Sequence, residues 1–160
     1  MILLLTGACA AGKSTIAQIL AEQHNFVMID GDAMIKELGL KSKDWNQVHN
    51  DLIKRAEIAS KEKGVVISHV VFPDKFHLYQ KHFQNKNIPF KTVVLHTQKE
   101  ILYKRNLIRT CHPKPTPENI IDYFHKELGT AKEAGNIMII DSTQQTPLQT
   151  VTVLLERLFP

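Results

Sequence analysis

Gly7-Ala8-Cys9-Ala10-Ala11-Gly12-Lys13-Ser14-Thr15 constrains the fold of this chain more than any other stretch. It has the form glycine, four residues, Gly-Lys-Ser. It follows an apolar run at 2–5 that reads as a strand, and it precedes Ile16, Ile19 and Leu20 at helical spacing. A strand that turns through such a loop into a helix points successive backbone N–H groups inward, and the positive end of the helix adds to the field, so the loop forms an anion cradle. Gly7 and Gly12 are expected to take backbone angles closed to other residues. Lys13 is placed to reach the β and γ phosphates of a nucleotide, and the Ser14 hydroxyl to ligate magnesium.

Four further apolar runs, at 26–29, 65–67, 93–95 and 137–140, do not alternate with polar residues, as expected of strands covered on both faces. Helical spacing recurs between them, for example at Val48, Leu52, Ala56 and Ala59. Alternating strand and helix implies right-handed crossovers and a parallel sheet. The expectation is a three-layer α/β fold with a five-stranded parallel sheet, helices on both faces and a small helical lid, in a single domain over 1–160. The lid is expected at about 105–117. One helix runs from about Lys99 to Arg109, and Pro113, Pro115 and Pro117 exclude helix from 110–116. Thr116-Pro117-Glu118 then reads as N-cap, first helical position and acidic first turn. Thr146 is expected to cap a closing helix from about Pro147 to Leu158.

Composition narrows the class. Hydrophobic residues at 43% and charged residues at 22% describe an ordinary globular chain, and the net charge of +4 is scattered rather than blocked. Nucleic-acid binding is thereby permitted without being indicated, and a polyanionic small substrate accounts for the charge equally well. Two cysteines, Cys9 and Cys111, are too few for a disulfide framework and fit reduced thiols in the cytoplasm. The apolar start is shorter than a signal core, and no segment has the length of a membrane span.

Asp30-Gly31-Asp32 ends the second apolar run. Ligands of open α/β sheets bind at the carboxyl ends of strands, so these carboxylates should face the bound nucleotide, where an acceptor hydroxyl would sit. Asp32 is the favoured catalytic carboxylate, either orienting the hydroxyl and accepting its proton or holding a water on magnesium, with Asp30 also at the acceptor site. The alternative is a turn in which Asp32 merely caps the next helix. Arg105 and Arg109, four apart, share one helix face and are placed to bind phosphate oxygens; a solvated basic face shared with Lys104 is the alternative. His112 and Lys114 are weaker candidates. His69, just past the third run, either lines the acceptor pocket or is a hydrogen-bonded structural residue, and Trp45 reads as a packing residue. Asp141-Ser142-Thr143 sits where a base could bind or where a turn forms. No Asp or Glu closes the third run, and Arg55 is the only arginine between Asp32 and Gly64.

On these residues the chain resembles the small P-loop kinase group that includes shikimate, gluconate, adenylylsulfate and nucleoside monophosphate kinases. The glycine-rich loop is the Walker A match, Asp30-Gly31-Asp32 the acceptor match and Arg105 with Arg109 the lid match. Gly31-Asp32-Ala33, Val65-Val66-Ile67-Ser68 and the stretch from Arg109 to His112 are most similar to gluconate kinases, while Asp30-Gly31-Asp32 is equally similar to adenylylsulfate kinases. The chain departs from them after the third strand, where it reads His69-Val70-Val71-Phe72-Pro73-Asp74 in place of a basic cluster. The resemblance implies an ATP- and Mg2+-dependent kinase that phosphorylates a hydroxyl of a sugar acid, polyol or nucleoside-like metabolite, as a monomer or homodimer. Two other readings stay open at this point: an ATP-binding regulatory module without an acceptor, and a kinase for a nucleic-acid 5′-hydroxyl, against which no interleaved aromatic and basic groove is found.

Overall fold

A computed structural model describes residues 1–40, 44–110, 114–133 and 135–160. Among these, strands β1 (Ile2–Gly7), β2 (Phe26–Asp30), β3 (Gly64–Ser68), β4 (Phe90–His96) and β5 (Ile137–Asp141) form one parallel sheet in the order β2-β3-β1-β4-β5. The helices are α1 (Lys13–Gln23), α2 (Gly31–Glu37), α3 (Trp45–Ala59), α4 (Phe76–Asn85), α5 (Lys99–Ile108), α6 (Glu118–Leu128) and α7 (Pro147–Leu158). A short 3-10 turn, Pro73–Lys75, leads into α4.

All six residues of β1 are buried because the strand is central and covered on both sides. Leu3 and Leu5 face one core with Ile16, Ala17 and Leu20 of α1, Ile121 of α6, and Val151 and Leu154 of α7. Ile2 and Leu4 face the other with Val48, Leu52 and Ala56 of α3, and Phe76, Tyr79 and Phe83 of α4. The two-residue period of the strand thus divides a continuous apolar run between two layers of helix. Leu20 and Leu52 are both 0% exposed. Truncating either to alanine should cost about 2–5 kcal/mol.

Helix boundaries follow the expected signals with one difference. Thr146 caps α7 in a reciprocal capping box with Gln149. Thr116, by contrast, does not cap α6; Pro117 is the N-cap and contributes no side-chain bond. The Thr116 N–H instead donates to Asn106 Oδ1 at 3.0 Å, and the Asn106 amide donates back to the Thr116 carbonyl at 2.8 Å. Buried Asn106 therefore clasps the segment between α5 and α6 by both backbone groups of one residue. Tyr103 and Lys99 of α5 add contacts to Asp122 of α6. The two legs of the expected lid are joined through side chains, which helical periodicity does not encode. Cys111, His112 and Pro113 lie outside the described residues, as do the lid expectations resting on them.

Candidate active site

Strand β1 delivers the chain into the loop at 8–12, and α1 begins at Lys13. Positive φ occurs at Ala10 (65°) and Gly12 (97°), not at Gly7. Gly7 answers to space instead: a Cβ there would stand 2.9 Å from the Leu95 carbonyl oxygen of β4. The glycine at the start of the motif is required by close strand packing, and the one at its end by left-handed backbone.

Lys13 Nζ donates to the carbonyls of Gly7 and Ala8, both at 3.0 Å, so the ammonium folds back over its own loop. Burial holds its pKa below the ordinary lysine range, and Arg109 pushes the same way, while Asp32 and Asp30 act against them. An anion in the loop would add to the opposing charge that Asp32 and Asp30 already supply. Ser14, exposed at the start of α1, has its Oγ 3.5 Å from Ser68 Oγ at the end of β3. Ser68 thus occupies the strand end where no carboxylate stands, a neighbour that the sequence reading does not assign to the site.

At the end of β2 the two aspartates divide their work. Asp30 Oδ1 accepts from the N–H groups of Asp32 (2.9 Å) and Ala33 (3.0 Å), making Asp30, rather than Asp32, the cap of α2. The Asp32 side chain is 67% exposed and its Oδ1 lies 3.4 Å from His69 Nδ1. His69 itself is buried, and neither ring nitrogen has a hydrogen-bond partner among the described residues. The expected structural hydrogen bond is therefore missing among the described residues, and Asp32 approaches the ring only to 3.4 Å. Its backbone is fixed from β1: His69 N–H donates to the Leu5 carbonyl at 3.3 Å, and the Thr6 hydroxyl both donates to and accepts from Val71. Trp45, read as a packing residue, is the first residue of α3 and packs against His49 and His69 while staying 44% exposed.

Arg105 and Arg109 both line the cavity, unlike exposed Lys104. Arg105 donates to the Ser142 carbonyl at 2.9 Å, and Arg109 donates to the Thr116 hydroxyl. Arg109 Nε is buried without a partner among the described residues. Asp141, Ser142 and Thr143 form a turn in which Asp141 Oδ1 accepts from the Thr143 N–H at 2.8 Å, and Ser142 also faces the cavity. Turn formation and cavity lining are both realised. Gln145, Pro147 and Thr150 join the wall. Sequence reading misses these three because only the pairing of β5 with β4 and the packing of α7 on α1 bring them beside the loop.

The cavity so formed measures about 540 Å³, within the range of small-molecule sites, and it joins Cys9, Ala10, Ala11, Gly12, Lys13, Ser14 and Thr15 to Asp32, Ser68, His69, Arg105 and Arg109. Gly7 and Ala8 contribute through the carbonyls that hold Lys13, and Asp30 through its cap. The oxygen donors beside the loop, the Ser14 hydroxyl and the Asp32 carboxylate, suit a hard cation that also binds phosphate oxygens. Among the described residues no cluster of three or more His, Cys, Asp or Glu side chains forms a metal cage. No helix among the described residues is long and apolar enough to cross a membrane.

A family model described as AAA domain matches residues 2–131. No curated protein matches the sequence. Among solved structures, a gluconokinase from Sinorhizobium meliloti 1021 is 20% identical, with 98% of this chain and 94% of that one covered at a TM-score of 0.68. Shikimate kinase from Aquifex aeolicus vf5 is 17% identical, covers 99% and 96%, and has a TM-score of 0.65. A chain of the Pnkp1/Rnl/Hen1 RNA repair complex is 18% identical over 80% of this chain and 43% of that one, at a TM-score of 0.62. The fold is that of the small P-loop kinases, as the sequence resemblance implies.

Proposed function

This chain belongs to the AAA domain family, whose model spans most of its length. On that premise we propose that it is an ATP- and magnesium-dependent phosphotransferase that moves the γ-phosphate to a hydroxyl of a small metabolite. The carrying observation is the convergence of three cations on one cavity: Lys13 across the mouth of the loop, Arg105 and Arg109 from α5. Arg109 pushes on the Lys13 charge, and its buried Nε–H has no partner among the described residues. Like charges held together in this way are unfavourable until an anion lies between them.

In the mechanism, backbone N–H groups of the loop and Lys13 hold the β and γ phosphates. Ser14, with Asp32 and Asp30 nearby, would hold a magnesium ion against the phosphates, where it would supply neutralising charge. Asp32 orients the acceptor hydroxyl and takes its proton as that oxygen bonds to the γ phosphorus. The bond from the γ phosphorus to the bridging oxygen breaks and ADP leaves. Arg105 and Arg109 stabilise the charge on the transferring group. His69 binds the acceptor beside Asp32. Reduced Cys9 suits action in the cytoplasm.

The test is ADP release from ATP and magnesium across sugar acids, polyols, nucleosides, nucleoside monophosphates and a 5′-hydroxyl oligonucleotide, with Lys13→Ala alongside. We expect one acceptor class to raise turnover strongly, and Lys13→Ala to lower it by about 100- to 1,000-fold, as for loss of one preorganised charge donor. Binding of ATP with no acceptor stimulating turnover would sink the kinase reading in favour of a binding module.

A further inference from the structure

The wall of the cavity formed by β2 and β3 carries a second set of features that phosphate chemistry does not use. Trp45 presents a large, half-exposed indole 6.0 Å, centroid to centroid, from the His69 ring that lines the cavity. The indole is not loose. It stacks on His49 at 6.5 Å and 29°, His49 Nδ1 lies 2.7 Å from the Tyr79 hydroxyl, and Tyr79 is 0% exposed in the core. A row of rings thus anchors one flat apolar face beside the cavity-lining His69, and a platform held in place before binding loses little entropy on contact.

His69 supplies the polar counterpart. Its ring is buried with both nitrogens lacking hydrogen-bond partners among the described residues, at a cost that a bound hydroxyl would relieve. The ring is also built into place, since a Cβ on Gly31 would come within 2.4 Å of Nδ1. Among its described residues, this wall offers an anion no arginine fork. Asp32 projects from it, and Arg55 is held bidentate by Glu37 at 2.9 and 3.1 Å, leaving no unpaired arginine among the described residues of α2, α3 and α4. A phosphate or carboxylate on the acceptor would meet a carboxylate without a guanidinium fork to receive it.

We infer that the acceptor is an uncharged sugar ring, free or as the ribose of a nucleoside, with its C–H face against Trp45 and its hydroxyls toward His69 and Asp32. This rests on the kinase reading above and narrows it. Such a ring has one apolar face and hydroxyls at its edge, matching an aromatic platform flanked by a few fixed polar groups.

Trp45 is the sole tryptophan, so its fluorescence reports directly on this site. With Mg-ADP present, the full chain would be titrated with glucose, myo-inositol, ribose, linear sorbitol, gluconate and glucose 6-phosphate, and by calorimetry with adenosine and AMP. We expect at least one neutral ring to bind at least tenfold more tightly than sorbitol and than every anionic compound. Adenosine against the free sugars separates the two sources of the ring. By calorimetry, since both variants lack the tryptophan, Trp45→Ala should weaken that binding about tenfold, while Trp45→Phe, which keeps a platform, stays within about threefold. Tighter binding of an anion, no response to any neutral ring up to about 10 mM, or full affinity in Trp45→Ala would overturn the inference. Lys13-dependent phosphorylation of some other acceptor would leave the kinase reading standing after such a result.

Discussion

Gly31→Ala isolates the contact on which the acceptor side of the site depends. The new methyl would stand 2.4 Å from His69 Nδ1, 2.5 Å from Cγ and 2.7 Å from Cβ, where real Cβ atoms are essentially never found closer than 3.0 Å. His69 cannot swing away cheaply, because it is 3% exposed and lies under Trp45. Forcing a methyl into such a contact costs about 1–3 kcal/mol. Gly31 is the first residue of α2 and its φ is not in the left-handed region, so alanine there also recovers about 0.4–1 kcal/mol of unfolded-chain entropy. The net expectation is a loss of about 1–2 kcal/mol, or about 2–8 °C in Tm for a chain of this size. Urea unfolding at constant m-value measures it. His69→Ala removes the two nearest of these atoms and keeps Cβ at 2.7 Å, so the Gly31→Ala loss should shrink without vanishing in that background, a coupling of about 1 kcal/mol. Wild-type stability in Gly31→Ala, or an undiminished loss in the double variant, would refute the packing argument.

Asn106→Ala should destabilise the chain by about 1–3 kcal/mol, since two hydrogen bonds to the Thr116 backbone are lost; chemical denaturation reads this directly. The same variant should raise the KM for ATP, because Arg109 bonds to Thr116 and loses its fixed partner. Arg109→Ala should lower kcat more than Arg105→Ala, since the buried Arg109 Nε–H has no partner among the described residues while Arg105 is committed to the Ser142 carbonyl; steady-state kinetics with a stimulating acceptor separates them. Burial lowers the His49 pKa from 6.5 to about 4, with His69 and Lys75 adding to the shift and Asp74 opposing it. The unfolded chain therefore binds the extra proton first, so stability is full above pH 6.5 and falls between pH 6.5 and 4, by up to about 3 kcal/mol. His49→Gln should flatten that part of the stability profile.

Local chemistry explains what was legible along the chain. The phosphate loop, the five strands and the capped last helix all rest on backbone preferences and short-range periodicity, which neighbouring residues set among themselves. The loop's demand for left-handed backbone is met at Ala10 as well as Gly12, a position that no propensity marks. Asp30 and Asp32 could be placed at a strand end, yet which one caps α2 depends on the angle at which the chain leaves β2.

The sequence by itself determined the phosphate cradle, the parallel α/β class and the residue types available to the acceptor. Tertiary structure alone decided the strand order β2-β3-β1-β4-β5, and with it which strand ends share a cavity. That order sets Ser68 beside Ser14, His69 against Gly31, and Arg55 on Glu37 rather than facing a substrate. These pairs lie 54, 38 and 18 residues apart in the chain. Contacts at such separations arise only when the whole sheet closes and buries both cores, so no local pattern carries their imprint.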